Sequence, residues 1–117
     1  MKIDHQGDTP PYEQVRTHYA HAIANRALPV GAKLPTVRAL AKDLGLAVNT
    51  VARAYRELEE AGLVETRGRA GTVVSANGDS NRERVRAAAA HYATMSAELG
   101  LTSDEALEIV RAALRRF

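Results

Sequence analysis

Cysteine and tryptophan are absent from the 117-residue chain, and phenylalanine occurs once. Without thiols there is no disulfide framework, no thiolate zinc site and no redox chemistry. With aromatics at 4% of residues, the core has to be built largely from alanine, leucine and valine. No stretch approaches the roughly 20 apolar residues of a membrane-spanning helix. The opening MKIDHQGDTP lacks the apolar segment of a secretory signal. These absences predict a cytoplasmic protein with no membrane partner. Only four serines occur, and no Ser/His/Asp or paired-carboxylate arrangement stands out, so neither enzymatic activity nor a cofactor is expected. The net charge of +2 is too small to argue for nucleic acid by itself.

The stretch from Leu34 to Gly62, LPTVRALAKDLGLAVNTVARAYRELEEAG, organises the rest. Val37, Leu40, Ala41 and Leu44 recur at helical spacing, with Thr36 placed to cap the helix start and Gly45 to follow its end. Val51, Ala54, Tyr55, Leu58 and Ala61 form a second apolar stripe that Gly62 terminates. At 100° per residue, Asn49, Arg53 and Arg56 fall on the opposite face of that second helix, flanked by Thr50 and Ala52. Helix, tight turn and helix, with amide and guanidinium groups outward on the second, is the pattern of a major-groove reader. Charge agrees locally: between Arg26 and Gly71 there are eight Arg/Lys against five Asp/Glu. Glu57, Glu59 and Glu60 lie in the later part of the second helix, away from the end expected to meet DNA.

Leu63, Val64 and Thr66 then read as a short strand, residues 67–71 as a glycine turn, and Thr72, Val73 and Val74 as a returning strand. A two-stranded wing with arginines at its tip, directly after a helix-turn-helix, predicts a winged helix. On these residues the sequence resembles the GntR family of bacterial transcription regulators. The resemblance rests on Gly31-x-x-Leu34-Pro35-Thr36-x-Arg38-x-Leu40-Ala41, then Asn49-Thr50-Val51, Ala54-Tyr55, Leu58, Gly62 and the Gly-x-x-Gly-Thr-Val-Val wing. The Asn-Thr-Val-x-x-Ala-Tyr-x-x-Leu spacing, with a short tail after the wing, is most similar to the YtrA branch. That branch usually carries Asn-Pro where this chain has Ala47 and Val48, which leaves the entry to the recognition helix open. The resemblance implies a DNA-binding repressor, and by family analogy an operon for a transporter, often of the ATP-binding-cassette type.

Before the organising stretch, residues 1–9 are polar and read as a loose arm. Pro10 and Pro11 suit the first turn of a helix capped by Asp8 or Thr9. Tyr12, Val15, Tyr19, Ala22 and Ile23 share a face, so this helix is expected to reach about Ala27 and pack on the helix-turn-helix. His18 and His21 have a metal-compatible spacing, but with no third ligand nearby they read as solvated histidines, and no metal is expected.

Among candidate DNA contacts, Arg38 and Thr36 sit at the start of the second helix, where a phosphate can meet both the guanidinium and free amides. Asn49 has two roles open to it, base contact or helix cap. Thr50 shares its position at the helix start, and Arg53 has the reach for guanine or phosphate one turn further on. Arg56 has two roles open to it, phosphate clamp or solvated helix residue, with the clamp preferred; Tyr55 faces the core. Arg67, Arg69 and Thr72 of the wing are expected at phosphate or in the minor groove. Gly68 to Gly71 also spells the GXXG of a KH domain, but that loop joins two helices, whereas β-type residues flank this one.

After the polar segment 76–79, Ser80-x-x-Glu83 and Thr102-x-x-Glu105 each read as a capping box opening a helix. The first helix carries Val85, Ala88, Ala89, Tyr92, Ser96 and Leu99 on one side, and the second carries Ala106, Leu107, Val110, Ala113, Leu114 and Phe117. An antiparallel hairpin cannot bury two wide apolar faces alone, and Ile109 points away from its main stripe. The expectation is a homodimer formed through this hairpin, in keeping with the YtrA resemblance. The expected fold class is therefore mainly α with a small β-wing: a winged helix-turn-helix over residues 1–77, then a two-helix C-terminal dimerisation hairpin over 78–117. The expected partners are a double-stranded DNA operator and a second copy. A small-molecule effector, if there is one, has to bind in the hairpin or at the dimer interface. The competing class is a winged helix that binds proteins, whose outward face would be apolar or acidic instead of Asn, Thr and Arg.

Overall fold

The computed structural model describes residues 1–116. Five helices and one small antiparallel sheet follow in the order α1 (Pro11–Ala24), α2 (Val37–Leu44), α3 (Val48–Glu60), β1 (Val64–Thr66), β2 (Thr72–Val74), α4 (Gly78–Glu98) and α5 (Ser103–Leu114). They divide into two compact units, residues 1–79 and 80–117.

In the first unit, local chemistry sets the corners of the helix-turn-helix. Thr36 is extended, and its hydroxyl accepts from the Ala39 amide at 3.1 Å, satisfying one of the donors that a helix start leaves without a partner. Gly45 closes α2 in the left-handed region, φ 67°, which an L side chain rarely adopts, and Leu46 N–H then returns to the Ala41 carbonyl. The α3 stripe buries as its spacing requires: Val51, Ala54 and Leu58 have no exposed surface, and Tyr55 very little. Against it pack Val15, Tyr19 and Ile23 of α1, Leu40 and Ala41 of α2, and Leu34, Val64 and Val74. Tyr55 and Tyr19 meet edge to face, with ring centroids 6.1 Å apart. The Tyr55 hydroxyl donates to the Pro35 carbonyl at 2.7 Å and ties α3 to the approach to α2. Burial, and after it the neighbouring Tyr19, hold this phenol well above its ordinary pKa, so it remains a donor.

The wing pairs Val64 with Val74, Glu65 with Val73 and Thr66 with Thr72. Residues 68–70 cross between the strands as a 3-10 turn. Gly71 is favoured by its φ of 79°, and its Cα faces the Lys33 side chain, whose Cε would stand 3.2 Å from an added Cβ. That neighbour exposes a feature not anticipated from sequence. The linker 31–34 pairs with the outer edge of β2: Gly31 N–H donates to the Val74 carbonyl, Val74 N–H to Ala32, and Leu34 N–H to Thr72, each at 2.9 Å. Lys33 and Val73 form an antiparallel bridge. The wing is thus hydrogen-bonded on both edges of β2 and anchored to the approach to α2.

Four expectations are corrected. The N-terminal residues are not a loose arm. Ile3 packs against the core, Asp4 N–H donates to Gln14 Oε1, and Gln14 Nε2 donates to the Asp4 and Thr9 carbonyls, all three bonds at 2.8 Å. Neither Asp8 nor Thr9 caps α1; Pro10 holds the cap position without a side-chain bond, and Pro11 takes the first helical position, where no amide partner is needed. The same helix ends at Ala24, three residues early, because Arg26 turns into the left-handed region at φ 64°. The Ser80–Glu83 box does not form: α4 already begins at Gly78, and Glu83 pairs with Arg86. Its counterpart does form. Thr102 accepts from the Glu105 amide at 3.2 Å, and Glu105 accepts from the Thr102 amide at 3.0 Å. The Thr102 amide, and after it the Thr102 hydroxyl beside the carboxylate, hold the Glu105 carboxyl below its usual pKa.

In the second unit, α4 and α5 form the expected hairpin. The Tyr92 hydroxyl donates to the Ala106 carbonyl at 2.7 Å, and Ser96 donates to the Tyr92 carbonyl at 2.8 Å. Among the described residues this unit buries no apolar side chain; Ser96 alone is buried. Val85 is 70% exposed, Leu99 73%, Leu107 54%, Ile109 51% and Leu114 67%. Phe117 lies outside the described residues. Between the helices opens a groove of about 590 Å³, lined mostly by alanine, leucine and valine with Tyr92 and Ser96.

Candidate nucleic-acid interface

The entry to α3 is where the sequence departs from the pattern of its branch. Ala47 occupies the cap position with an extended backbone and supplies no side-chain bond. Thr50 and Val51 direct their amides to the Ala47 carbonyl. The cap role weighed for Asn49 is therefore not taken: Asn49 lies inside the helix, exposed, with no side-chain hydrogen bond among the described residues. An uncapped helix start carries outward amides and the positive end of the helix dipole, a setting that favours an anion.

Along α3, Asn49, Arg53 and Arg56 are all exposed at i, i+4 and i+7, a single polar stripe opposite the buried one. Thr50 beside it is half-buried. Arg56 has no ion pair or side-chain hydrogen bond among the described residues. Arg53 is held, which helical spacing alone does not reveal. Its guanidinium carbon stands 3.7 Å from the centre of the Tyr12 ring on α1, and its Nε donates to Glu57 Oε2 at 3.2 Å. Glu57 in turn lies 3.3 Å from Arg16 Nε through its other oxygen, close enough for an ion pair though not aligned for a hydrogen bond. Two acidic groups of the later α3 thus have internal partners, since Glu59 also accepts from the Thr66 hydroxyl at 2.6 Å.

At the start of α2, Arg38 is exposed and unpaired among the described residues, and the hydroxyl of Thr36 is committed to its capping bond. In the wing, Arg69 projects from the 3-10 turn without a partner among the described residues. Arg67 instead pairs with Glu65 at 2.8 Å, an exposed contact that another anion can displace at little cost. Thr72 sits half-buried at the β2 end opposite Thr66. Lys33, beside Gly71, is a cation at the base of the wing that sequence reading counted but did not select. Its signal was the alternation of Ala32 and Leu34 around it. His18 and His21 gather no third ligand: no metal-binding cluster of His, Cys, Asp or Glu occurs among the described residues. No helix among them is long and apolar enough to cross a membrane.

Three helices, a tight corner and a wing, with a polar stripe along the third helix, define a winged helix-turn-helix of the kind found in transcription regulators. The chain belongs to the GntR family: residues 11–74 match the family described as bacterial regulatory proteins, gntR family. It is 47% identical over 92% of its length, and 88% of the relative, to the HTH-type transcriptional regulator Rv1152 of Mycobacterium tuberculosis. To the HTH-type transcriptional repressor YtrA of Bacillus subtilis it is 42% identical, over 66% of this chain and 59% of that one. Among solved structures, YtrA from Sulfolobus acidocaldarius, a GntR-family transcription factor, superposes with a TM-score of 0.66 at 28% identity, covering 99% of this chain and 97% of the other. The DNA-binding domain of AraR, solved in complex with operator ORX1, matches with a TM-score of 0.58 at 25% identity, over 64% of this chain and 95% of that one. The protein is accordingly a transcriptional regulator of the GntR family, and its relatives carry the names of regulators, not of enzymes.

Proposed function

We propose that the chain is a repressor that binds a pseudo-palindromic operator as a homodimer in the cytoplasm. Residues 1–77 read DNA, and residues 78–117 join the subunits. The observation that carries the reading is the exposed stripe of Asn49, Arg53 and Arg56 on the third helix of a winged helix whose start is uncapped. Asn49 and Arg53 read base edges in the major groove, with Thr50 beside them. Arg38 and Arg56 take phosphates, and Thr36 contributes the helix start that it caps. Arg67, Arg69 and Thr72 hold the backbone beside the wing, Arg67 by exchanging Glu65 for phosphate. Operator binding by the structurally similar AraR domain supports this use of the fold.

Dimerisation is supported by the hairpin, whose apolar residues have no internal core to enter. Val85, Tyr92, Leu99, Leu107, Ile109, Val110, Leu114 and Phe117 supply the paired surface. A two-fold pair of readers matches two inverted half-sites. The repressor sense follows the name of the Bacillus relative.

Substitution Arg53→Ala tests the reading. It lowers affinity for the operator far more than for random duplex, since one good base contact contributes roughly 1–3 kcal/mol of discrimination. Equal losses on both duplexes would reduce Arg53 to a phosphate contact.

A further inference from the structure

We infer that Tyr12, on a helix that carries none of the assigned contacts, is a positioning residue for sequence discrimination, acting by holding the Arg53 guanidinium in its reading pose. The inference rests on the assignment of Arg53 as a base reader. It deepens that assignment by naming what fixes the reader.

The geometry is a clamp between two helices. Tyr12 and Arg16 are one turn apart on α1, and Arg53 and Glu57 are one turn apart on α3, so each pair shares a helix face. The Tyr12 ring lies 3.7 Å under the Arg53 guanidinium carbon, a distance at which the ring's negative face attracts the cation. Glu57 takes Arg53 Nε at 3.2 Å on one oxygen and stands 3.3 Å from Arg16 Nε on the other. A flexible side chain is thus fixed at two points, one on its flat face and one on its Nε edge. What stays free is the pair of terminal nitrogens, the edge that makes paired bonds to guanine O6 and N7. An arginine already ordered loses less rotational freedom on binding, so more of its interaction energy survives as discrimination.

The Tyr12 ring contributes no charge, so its effect is separable from phosphate binding. Substitution Tyr12→Leu lowers the ratio of operator to random-duplex affinity by a factor of about two to five, the worth of one exposed cation–π contact. Random-duplex affinity and its salt slope stay unchanged, which also reports that the domain remains folded. Tyr12→Phe keeps the ring and restores the full ratio. In an Arg53→Ala background, Tyr12→Leu changes the ratio no further.

These measurements separate the two claims. If Arg53→Ala leaves discrimination intact, the assignment of Arg53 fails, and this inference with it. If Arg53→Ala abolishes discrimination while Tyr12→Leu does not alter it, the assignment stands and the positioning role is overturned. A rise in operator affinity for Tyr12→Leu also overturns it, because the ring would then be competing with DNA for Arg53.

Discussion

Leu107→Glu provides the sharpest perturbation of the hairpin. Leu107 lines the groove between α4 and α5 and is 54% exposed, so about half of its surface is available to a second subunit. Burying a whole leucine side chain stabilises by about 1.5–3 kcal/mol, which makes the open half worth about 1 kcal/mol per subunit. A two-fold interface loses that contribution twice, about 2 kcal/mol per dimer by the same area argument. The introduced carboxylate adds a desolvation cost that nothing apolar around it offsets. At about 1.4 kcal/mol per factor of ten, the dimer dissociation constant rises at least about thirty-fold. Glutamate is a good helix former, so α5 itself is not expected to melt. Sedimentation across a concentration series measures the shift, and binding to duplexes carrying one or two half-sites reads its consequence. Single-site affinity stays unchanged, whereas the advantage of two sites, on the order of a hundred-fold for tethered modules, is lost at working concentrations. A wild-type chain that sediments as a monomer at micromolar concentration would refute the reasoning. So would a variant that dimerises as tightly as the wild type.

Two further outcomes follow from the first unit. Arg69→Ala weakens binding nearly uniformly across sequences and lowers the slope of log affinity against log salt by about 1 for each phosphate it no longer neutralises, read from titrations at several salt concentrations. Tyr55→Phe removes the bond to the Pro35 carbonyl while keeping the ring on Tyr19, so stability falls by about 0.5–1.5 kcal/mol in denaturant melts.

What the sequence made legible was what neighbouring residues decide among themselves. Thr36 caps α2 and Gly45 turns it because cap and turn depend on a few adjacent residues. The stripes of α2 and α3 could be read because a fixed helical period sorts their faces. Ser80 and Thr102 mark the limit of that logic. Both open the same four-residue pattern, but a capping box needs an extended first residue. At Thr102 the chain is extended, whereas at Ser80 it is already helical, so Glu83 turns to Arg86 instead. Contacts that join distant segments left little trace. The bonds from residues 31–34 to β2 span some forty positions, and backbone bonds carry no residue-type signature. The same holds for the site. Sequence placed Asn49, Arg53 and Arg56 on one face, but not the Tyr12 ring beneath Arg53, because helical spacing gives the direction of an arginine and not its neighbour on another helix. Nor did the sequence show that Ala47, not Asn49, stands at the cap of α3, because the cap position depends on where the turn before it ends.

Whether a pair of these winged helices reads a specific two-fold sequence is decided by selecting bound duplexes from a random pool. The wild-type chain is expected to enrich an inverted repeat of two half-sites, and fixed base positions within each half-site are lost when Arg53→Ala is used for the selection. A pool that shows no enriched sequence after repeated rounds, or one that converges on an isolated half-site, would contradict it.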